Sequence, residues 1–264
     1  MCGIAGYDLS PGSGFGRTLA AQALLAGIAE RGADAVGYAH RVPGGRVVVH
    51  KQQSAASALL ETVALPDEAT QALVHVRDYT KGHPSILANN HPIRHGAVVG
   101  IHNGIIENDE EIFARHGIDR HAPEMTVDSE AIFALVNLRG PSPEALEQLV
   151  GAMACAWLDE RHGERLYLAR GVARPLCLGT CDEGVFFAST SHALEVVERA
   201  LRIRLRKREV APGTLLELQH GEIVSERSFA PDTSYEETHV LPAVRAPHEG
   251  RSCLERLAVL AAWA

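Results

Sequence analysis

Met1-Cys2-Gly3-Ile4-Ala5-Gly6-Tyr7 opens the chain, and the reading of the rest turns on it. Alternating residues over 2–8 predict a short strand. With Met1 removed, Cys2 carries a thiol and a free α-amine on one residue. A thiolate is a strong nucleophile, and an α-amine titrates near pH ~8, so it can take the thiol proton close to neutrality. Nucleophile and base then meet without a second side chain. A Cys at position 2 also occurs with no chemistry attached, so the weight falls on the remaining residues.

Outward from that strand, Pro11-Gly12-Ser13-Gly14 makes a turn before a helix near 17–30, with Leu19, Ala23, Leu24, Ala26 and Ile28 at helical spacing. Strands follow at 35–41 and 46–51, joined by Pro43-Gly44-Gly45, then a helical stretch at 54–63 and strands at 72–77 and 97–102. Helices are predicted at 107–115, 128–138 and 143–151. From 154 to 226 the texture becomes short β segments at 154–159, 164–169, 175–179, 184–188, 202–206, 213–218 and 222–226, with a helix near 191–200. Many hairpins and few crossovers predict an α+β chain of antiparallel sheets covered by helices. Residues 2–226 read as one domain. Residues 227–264 read as a polar tail or linker that ends in a helical patch at 252–263.

Composition bounds the function. The chain has 264 residues, 46% hydrophobic and 22% charged, which is ordinary globular usage. A net charge of −8 argues against a general nucleic-acid binder. The five cysteines (2, 155, 177, 181 and 253) have neither metal-ligand nor disulfide-scaffold spacing, and their odd number predicts reduced thiols and a cytoplasmic location. Cys177 and Cys181 read as buried thiols. No signal peptide or membrane span is visible, and the fourteen histidines show no metal motif.

Several stretches carry possible chemistry. An apolar strand delivers Asn103-Gly104 to the expected start of a helix; the pair fits a tight turn, and it also fits an oxyanion hole made of a side-chain amide and a backbone N–H. Val76-Arg77-Asp78-Tyr79-Thr80-Lys81-Gly82 ends another strand. There Arg77 fits either a bidentate carboxylate clamp helped by the Thr80 hydroxyl, or an ion pair in a solvated loop. Asp128, in Val127-Asp128-Ser129-Glu130, fits a helix cap or a partner for an ammonium group. Arg31-Gly32-Ala33-Asp34-Ala35-Val36-Gly37 is a loop after the first helix. Arg202, Arg204 and Arg206 predict one face of a solvated edge strand, or a docking face for an acidic partner.

Taken in order, Met-Cys-Gly-Ile-x-Gly, Arg31-Gly32-x-Asp34-x-x-Gly37, Arg77-x-x-Thr80-x-Gly82, Asn90-His91-Pro92, His102 through Asn108 and Asp128-Ser129-Glu130 resemble the glutaminase domain of class II glutamine amidotransferases. These are N-terminal-nucleophile hydrolases that include glucosamine-6-phosphate synthase and glutamine phosphoribosylpyrophosphate amidotransferase. The resemblance covers about residues 2–218. It implies a four-layer αββα sandwich and the hydrolysis of L-glutamine to glutamate and ammonia through a thioester on Cys2. Asn103 and the Gly104 N–H would form the oxyanion hole. Arg77 and Thr80 would hold the α-carboxylate, and Asp128 with the Gly104 carbonyl the α-ammonium. His91 would line the pocket and Arg31 would support the Cys2 end, with no cofactor or metal.

Asp78 and Lys81 depart from the family's Arg-Trp-Ala-Thr-His-Gly. An Asp supplies no apolar lid over an ammonia path, and it can compete for Arg77. No acceptor domain follows within these 264 residues, so ammonia is expected to pass to a synthase subunit in trans or to none, unless the chain is a fragment of a longer protein. Two rival readings are an amidohydrolase for another γ-glutamyl or acyl amide, and a non-catalytic module that binds glutamine or a partner.

Overall fold

The computed structural model describes residues 2–236 and 242–263. Seven strands make a first sheet: β1 (Gly3–Leu9), β2 (Ala35–Arg41), β3 (Val47–Gln52), β4 (Gln71–Arg77), β9 (Cys177–Cys181), β10 (Gly184–Ala188) and β11 (Arg206–Glu209). They lie in the order β11-β9-β10-β1-β4-β2-β3. Six more make a second: β5 (Ile93–His95), β6 (Val98–Ile106), β7 (Gly151–Asp159), β8 (Arg165–Arg170), β12 (Thr214–Gln219) and β13 (Glu222–Ser228), in the order β13-β12-β8-β7-β6-β5. All neighbouring strands in both sheets run antiparallel.

Period-two alternation splits each central strand between two cores. Ile4, Leu73, Val99, Ile101, Ala154, Leu168 and Phe187 fill the space between the sheets. Ala5, Tyr7, Val74 and Val76, one residue out of step, face the helices α1 (Arg17–Ile28) and α6 (Ser191–Leu201). On the far side, Val98, Met153, Cys155 and Trp157 pack with α4 (Glu130–Arg139). Each Leu, Ile or Phe fully withdrawn from water contributes roughly 1.5–3 kcal/mol, so slipping either sheet by one residue forfeits two cores at once. The result is the expected αββα sandwich. The short α2 (Ala56–Leu59) lies on the first helical side, and α3 (Asp109–His116) and α5 (Pro143–Leu146) lie on the second.

The alanine- and leucine-rich α1 is buried from Ala20 through Ile28. A helix apolar on all faces needs cover on all faces. Part of that cover comes from α7 (Pro247–Trp263), whose Cys253 and Leu257 belong to the α1 core, with Leu254 and Leu260 packed at its margin. Ala258 of the same apolar patch is exposed.

Some expected boundaries move. The strand expected at 97–102 runs on through Ile106, so Asn103-Gly104 are strand residues opposite Ala154 and Met153. They do not open a helix, and α3 starts only at Asp109. The helix expected at 143–151 stops at Leu146, because residues from Gly151 enter β7. The strand expected at 202–206 starts only at Arg206. Leu201 is still helical and Arg202 takes the left-handed C-cap conformation (φ 56°), so the arginines do not alternate along one strand. Cys177 and Cys181 are half-buried, not buried. Among the described residues no helix is long and apolar enough to cross a membrane.

Candidate active site

The alternation that turns Ile4, Leu73 and Ile101 into the gap between the sheets gives the same direction to Cys2, to His75 and Arg77 on β4, and to Asn103 on β6. β1 and β4 are paired with Gly3 opposite Val76, and β6 packs against both across the gap. Residues up to 101 positions apart in sequence therefore share one end of one space.

Cys2 is partly buried. Its thiol donates to the Asp78 carbonyl at 3.5 Å, and its own carbonyl accepts from Arg31 Nε at 2.9 Å. Arg31 is itself buried, in a 3-10 turn over Ala29–Arg31 that follows α1. Burial pushes the Cys2 thiol up, while the Asp78 backbone contact and the Arg77 charge pull it back. The resting group is a thiol, so attack on a carbonyl carbon requires a base.

Arg77 is 2% exposed. Its Nη1 donates to Asn90 Oδ1, and its Nη2 donates to the carbonyls of Lys81 (2.8 Å) and Gly82. Asn90 is fixed in turn by Nδ2 donating to the Pro84 carbonyl at 2.7 Å. The guanidinium thus shapes loop 78–82 as well as facing the gap. Burial lowers its pKa, and the charges of Cys2 and Asp128 act in the opposite sense.

Asn103 is 1% exposed, and its Nδ2 has no hydrogen-bond partner among the described residues. An unsatisfied buried donor costs about 1–3 kcal/mol, and a site that receives an oxyanion has a use for one. Gly104 follows with φ 154°, and a Cβ there would run into the Ala152 carbonyl. Only glycine keeps the strand in place at that point. Since both residues lie inside β6, no helix N-terminus adds positive potential to them.

Asp128 is not a helix cap. Its Oδ2 accepts from the Ile106 N–H at 2.7 Å, two residues beyond Gly104, and α4 begins at Glu130. Burial, with the Asp109 carboxylate adding to it, raises Asp128 to about 6 against the bonds from Ile106 and Ser129. His91 is buried and stacked on His75 with ring centroids 4.2 Å apart, and His75 Nε2 donates to the His102 carbonyl at 3.2 Å. Burial lowers His75 and His102 to about 3 and His91 well below its ordinary value, so all three rings are neutral at physiological pH.

Thr80 is exposed on loop 78–82. Around it, Tyr79 N donates to Asp34 Oδ2 (2.9 Å), and Lys81 Nζ holds Asp109 at 2.7 Å. The Asp78 carboxylate carries an ion pair to Arg245 at 3.2 Å. Asn90, His75 and Asp34 also hold this site; Asn90 and Asp34 stand in the ordered motifs without a role of their own, and His75 stands in none. His75 was findable from its alternation with Arg77, and Asn90 from its place beside His91. A hollow of about 590 Å³ lined by Glu195, Arg199, Arg202 and Lys207 lies around the end of α6 and includes none of these residues.

A family model described as a glutamine amidotransferase domain matches residues 75–196, a span that takes in His75, Arg77, Asn103 and Asp128 but not Cys2. The glutamine–fructose-6-phosphate aminotransferase of Halalkalibacterium halodurans is 31% identical over 216 residues, 77% of this chain and 34% of that one. A Thermus thermophilus protein of the same name is 34% identical over 205 residues, 74% and 32% of the two chains. The chain carries a class II glutamine amidotransferase domain. It spans about a third of the length of these curated relatives. The fold of the amidotransferase domain recurs in the Bacillus subtilis glutamine phosphoribosylpyrophosphate amidotransferase complexed with ADP and GMP, with a TM-score of 0.68 at 20% identity over 88% of this chain and 50% of that one. A class II glutamine aminotransferase domain protein from Silicibacter pomeroyi has a TM-score of 0.55 at 19% identity, covering 87% of this chain and all of that one.

Proposed function

We propose that this amidotransferase domain hydrolyses L-glutamine to glutamate and ammonia with Cys2 as nucleophile. The observation that supports the reading is the buried Nδ2 of Asn103, without a hydrogen-bond partner among the described residues, on a strand that packs across the gap against β1, the strand Cys2 leads into. The free α-amine of Cys2, exposed by loss of Met1, takes the thiol proton as sulfur attacks the side-chain carbonyl carbon. The negative charge that develops on oxygen accepts from Asn103 Nδ2 and the Gly104 N–H. Collapse expels ammonia, which receives its proton from the α-ammonium of Cys2, and leaves a γ-glutamyl thioester. Water, activated by the same amine, then hydrolyses the thioester to glutamate and regenerates the thiol. No cofactor enters these steps.

Arg77 with Thr80 supplies the α-carboxylate site, and Asp128 with the Gly104 carbonyl the α-ammonium site. The two buried charges of opposite sign match the two ends of a free amino acid, which favours glutamine over an acyl amide. His91 forms a neutral wall of the pocket, and Arg31 holds the Cys2 carbonyl. Ammonia is used by an acceptor reaction outside the described residues, on another polypeptide or a further region. The test is a glutamine-analogue diazo-ketone: it should label one site per chain, at Cys2, and abolish ammonia release in proportion. Failure to label Cys2 in folded protein would count decisively for a non-catalytic module.

A further inference from the structure

Asp78 follows the carboxylate-clamp arginine directly, and its backbone carbonyl receives the Cys2 thiol. Its carboxylate meets Arg245, whose Nε lies 3.2 Å from Oδ2 and 3.4 Å from Oδ1. Arg245 stands on a firm base. Its backbone N–H and that of Ala246 both donate to the Glu30 carbonyl at 2.8 Å, and Glu30 adjoins Arg31, which holds the Cys2 carbonyl. Gly250 of α7 lies so close to Glu30 that a Cβ would come within 2.9 Å of its Cβ. Further along, Glu249 Oε2 accepts from Ser57 N at 2.9 Å and Arg256 pairs with Glu61 at 2.7 Å. The segment leading into α7 is thus bonded to the turn beneath the nucleophile and, through one side chain, to the loop above it.

Resting on the glutaminase reading above, we propose that Arg245 is a positioning residue for loop 78–82. By holding Asp78 it keeps that loop in register with Cys2, and so sets how tightly the site takes glutamine. The route is short. Arg77 is held by the carbonyls of Lys81 and Gly82, so a loop that drifts at Asp78 carries the guanidinium's anchors with it. The opposite end of the loop is tied separately, by Lys81 to Asp109.

The Arg245 side chain is 41% exposed and that of Asp78 15%, so the pair has the modest, salt-sensitive strength of a surface contact. The full chain, with Arg245→Ala, Arg245→Glu and Arg245→Lys, is assayed for glutamine hydrolysis at about 0.02 M and about 0.5 M salt. In parallel, endoproteinase Lys-C cleavage after Lys81 is timed, and thermal unfolding confirms folding; the chain's lysines are Lys51, Lys81 and Lys207. At low salt Arg245→Ala should raise KM about 2–5-fold with kcat within about 2-fold. Arg245→Glu should raise it more, Arg245→Lys should restore most of it, and high salt should shrink the differences. Cleavage at Lys81 should accelerate from wild type to Arg245→Ala to Arg245→Glu; Arg245→Lys adds a cleavage site of its own and is compared by KM alone. Wild-type cleavage rates in the Ala and Glu variants overturn the proposal. So does faster cleavage with KM unchanged, which would make the contact merely structural. A wild-type chain that hydrolyses no glutamine contradicts the reaction assigned above, and the cleavage order still decides whether Arg245 holds the loop.

Discussion

Asp128→Asn separates binding from stability at a single position. Asp128 is 3% exposed and its pKa is lifted from an ordinary 3.8 to about 6 by burial. A carboxyl raised on folding binds more protons folded than unfolded between those two values, so stability falls as pH rises through that window. Above pH 6 the full cost is present, and at 1.36 kcal/mol per pH unit it amounts to about 3 kcal/mol. Asparagine keeps an oxygen for the Ile106 N–H and has no charge to bury. In urea titrations without glutamine, Asp128→Asn should therefore be more stable than wild type at pH 7.5, by up to about 3 kcal/mol. The advantage should shrink to about 1 kcal/mol at pH 4.5 and vanish below the unfolded-state value. The same variant should lose glutamine affinity by at least about 10-fold, the scale of a lost buried charge-assisted contact, and glutamine should no longer stabilise it. A variant less stable at pH 7.5, or a difference that does not change with pH, would refute the reasoning.

Other substitutions probe separate parts of the site. Cys2→Ala should abolish ammonia release while leaving the unfolding midpoint close to wild type, since its thiol makes one long contact to the Asp78 carbonyl; residual turnover at the wild-type rate would remove Cys2 from the chemistry. Asn103→Ala should lower kcat by roughly 10²–10³ without breaking any protein hydrogen bond made by Nδ2, and a change confined to KM would contradict an oxyanion role. Arg77→Lys should raise KM and also accelerate proteolysis of loop 78–82, because a lysine cannot reproduce the bonds to Asn90 and to the Lys81 and Gly82 carbonyls; unchanged values of both would refute the clamp. Wild-type KM for glutamine should rise below pH 6 as Asp128 takes up a proton, a limb that Asp128→Asn should lack.

Much of the fold was legible because alternation and helical spacing act over a few residues. The strands around Ile4, Leu73 and Phe187 and the helix ending at Ile28 all lie where local pattern predicts. The failures have a local cause as well. Asn103-Gly104 has turn chemistry, but the β6–β7 ladder overrides it and continues to Ile106. Pro143 starts a helix that the demands of β7 cut short. The run from Arg202 to Arg206 alternates charge and hydrophobe, yet the helix C-cap at Arg202 delays the strand. The site is a different matter. No spacing rule brings Cys2, Arg77, Asn103 and Asp128 together; the ordered motifs suggested them by resemblance, and sheet pairing with strand parity makes three of them neighbours. Contacts such as Asp78 with Arg245 or Arg77 with Asn90 depend on loop paths, and local pattern carries no signal for those.

The proposed hydrolysis requires an amine and a thiol on one residue. Intact-mass analysis of hydrolytically active protein, before and after stoichiometric diazo-ketone labelling, tests this most directly. The predicted result is a chain lacking Met1 whose activity disappears as one adduct forms at Cys2. Full turnover by a population that retains Met1 would contradict it.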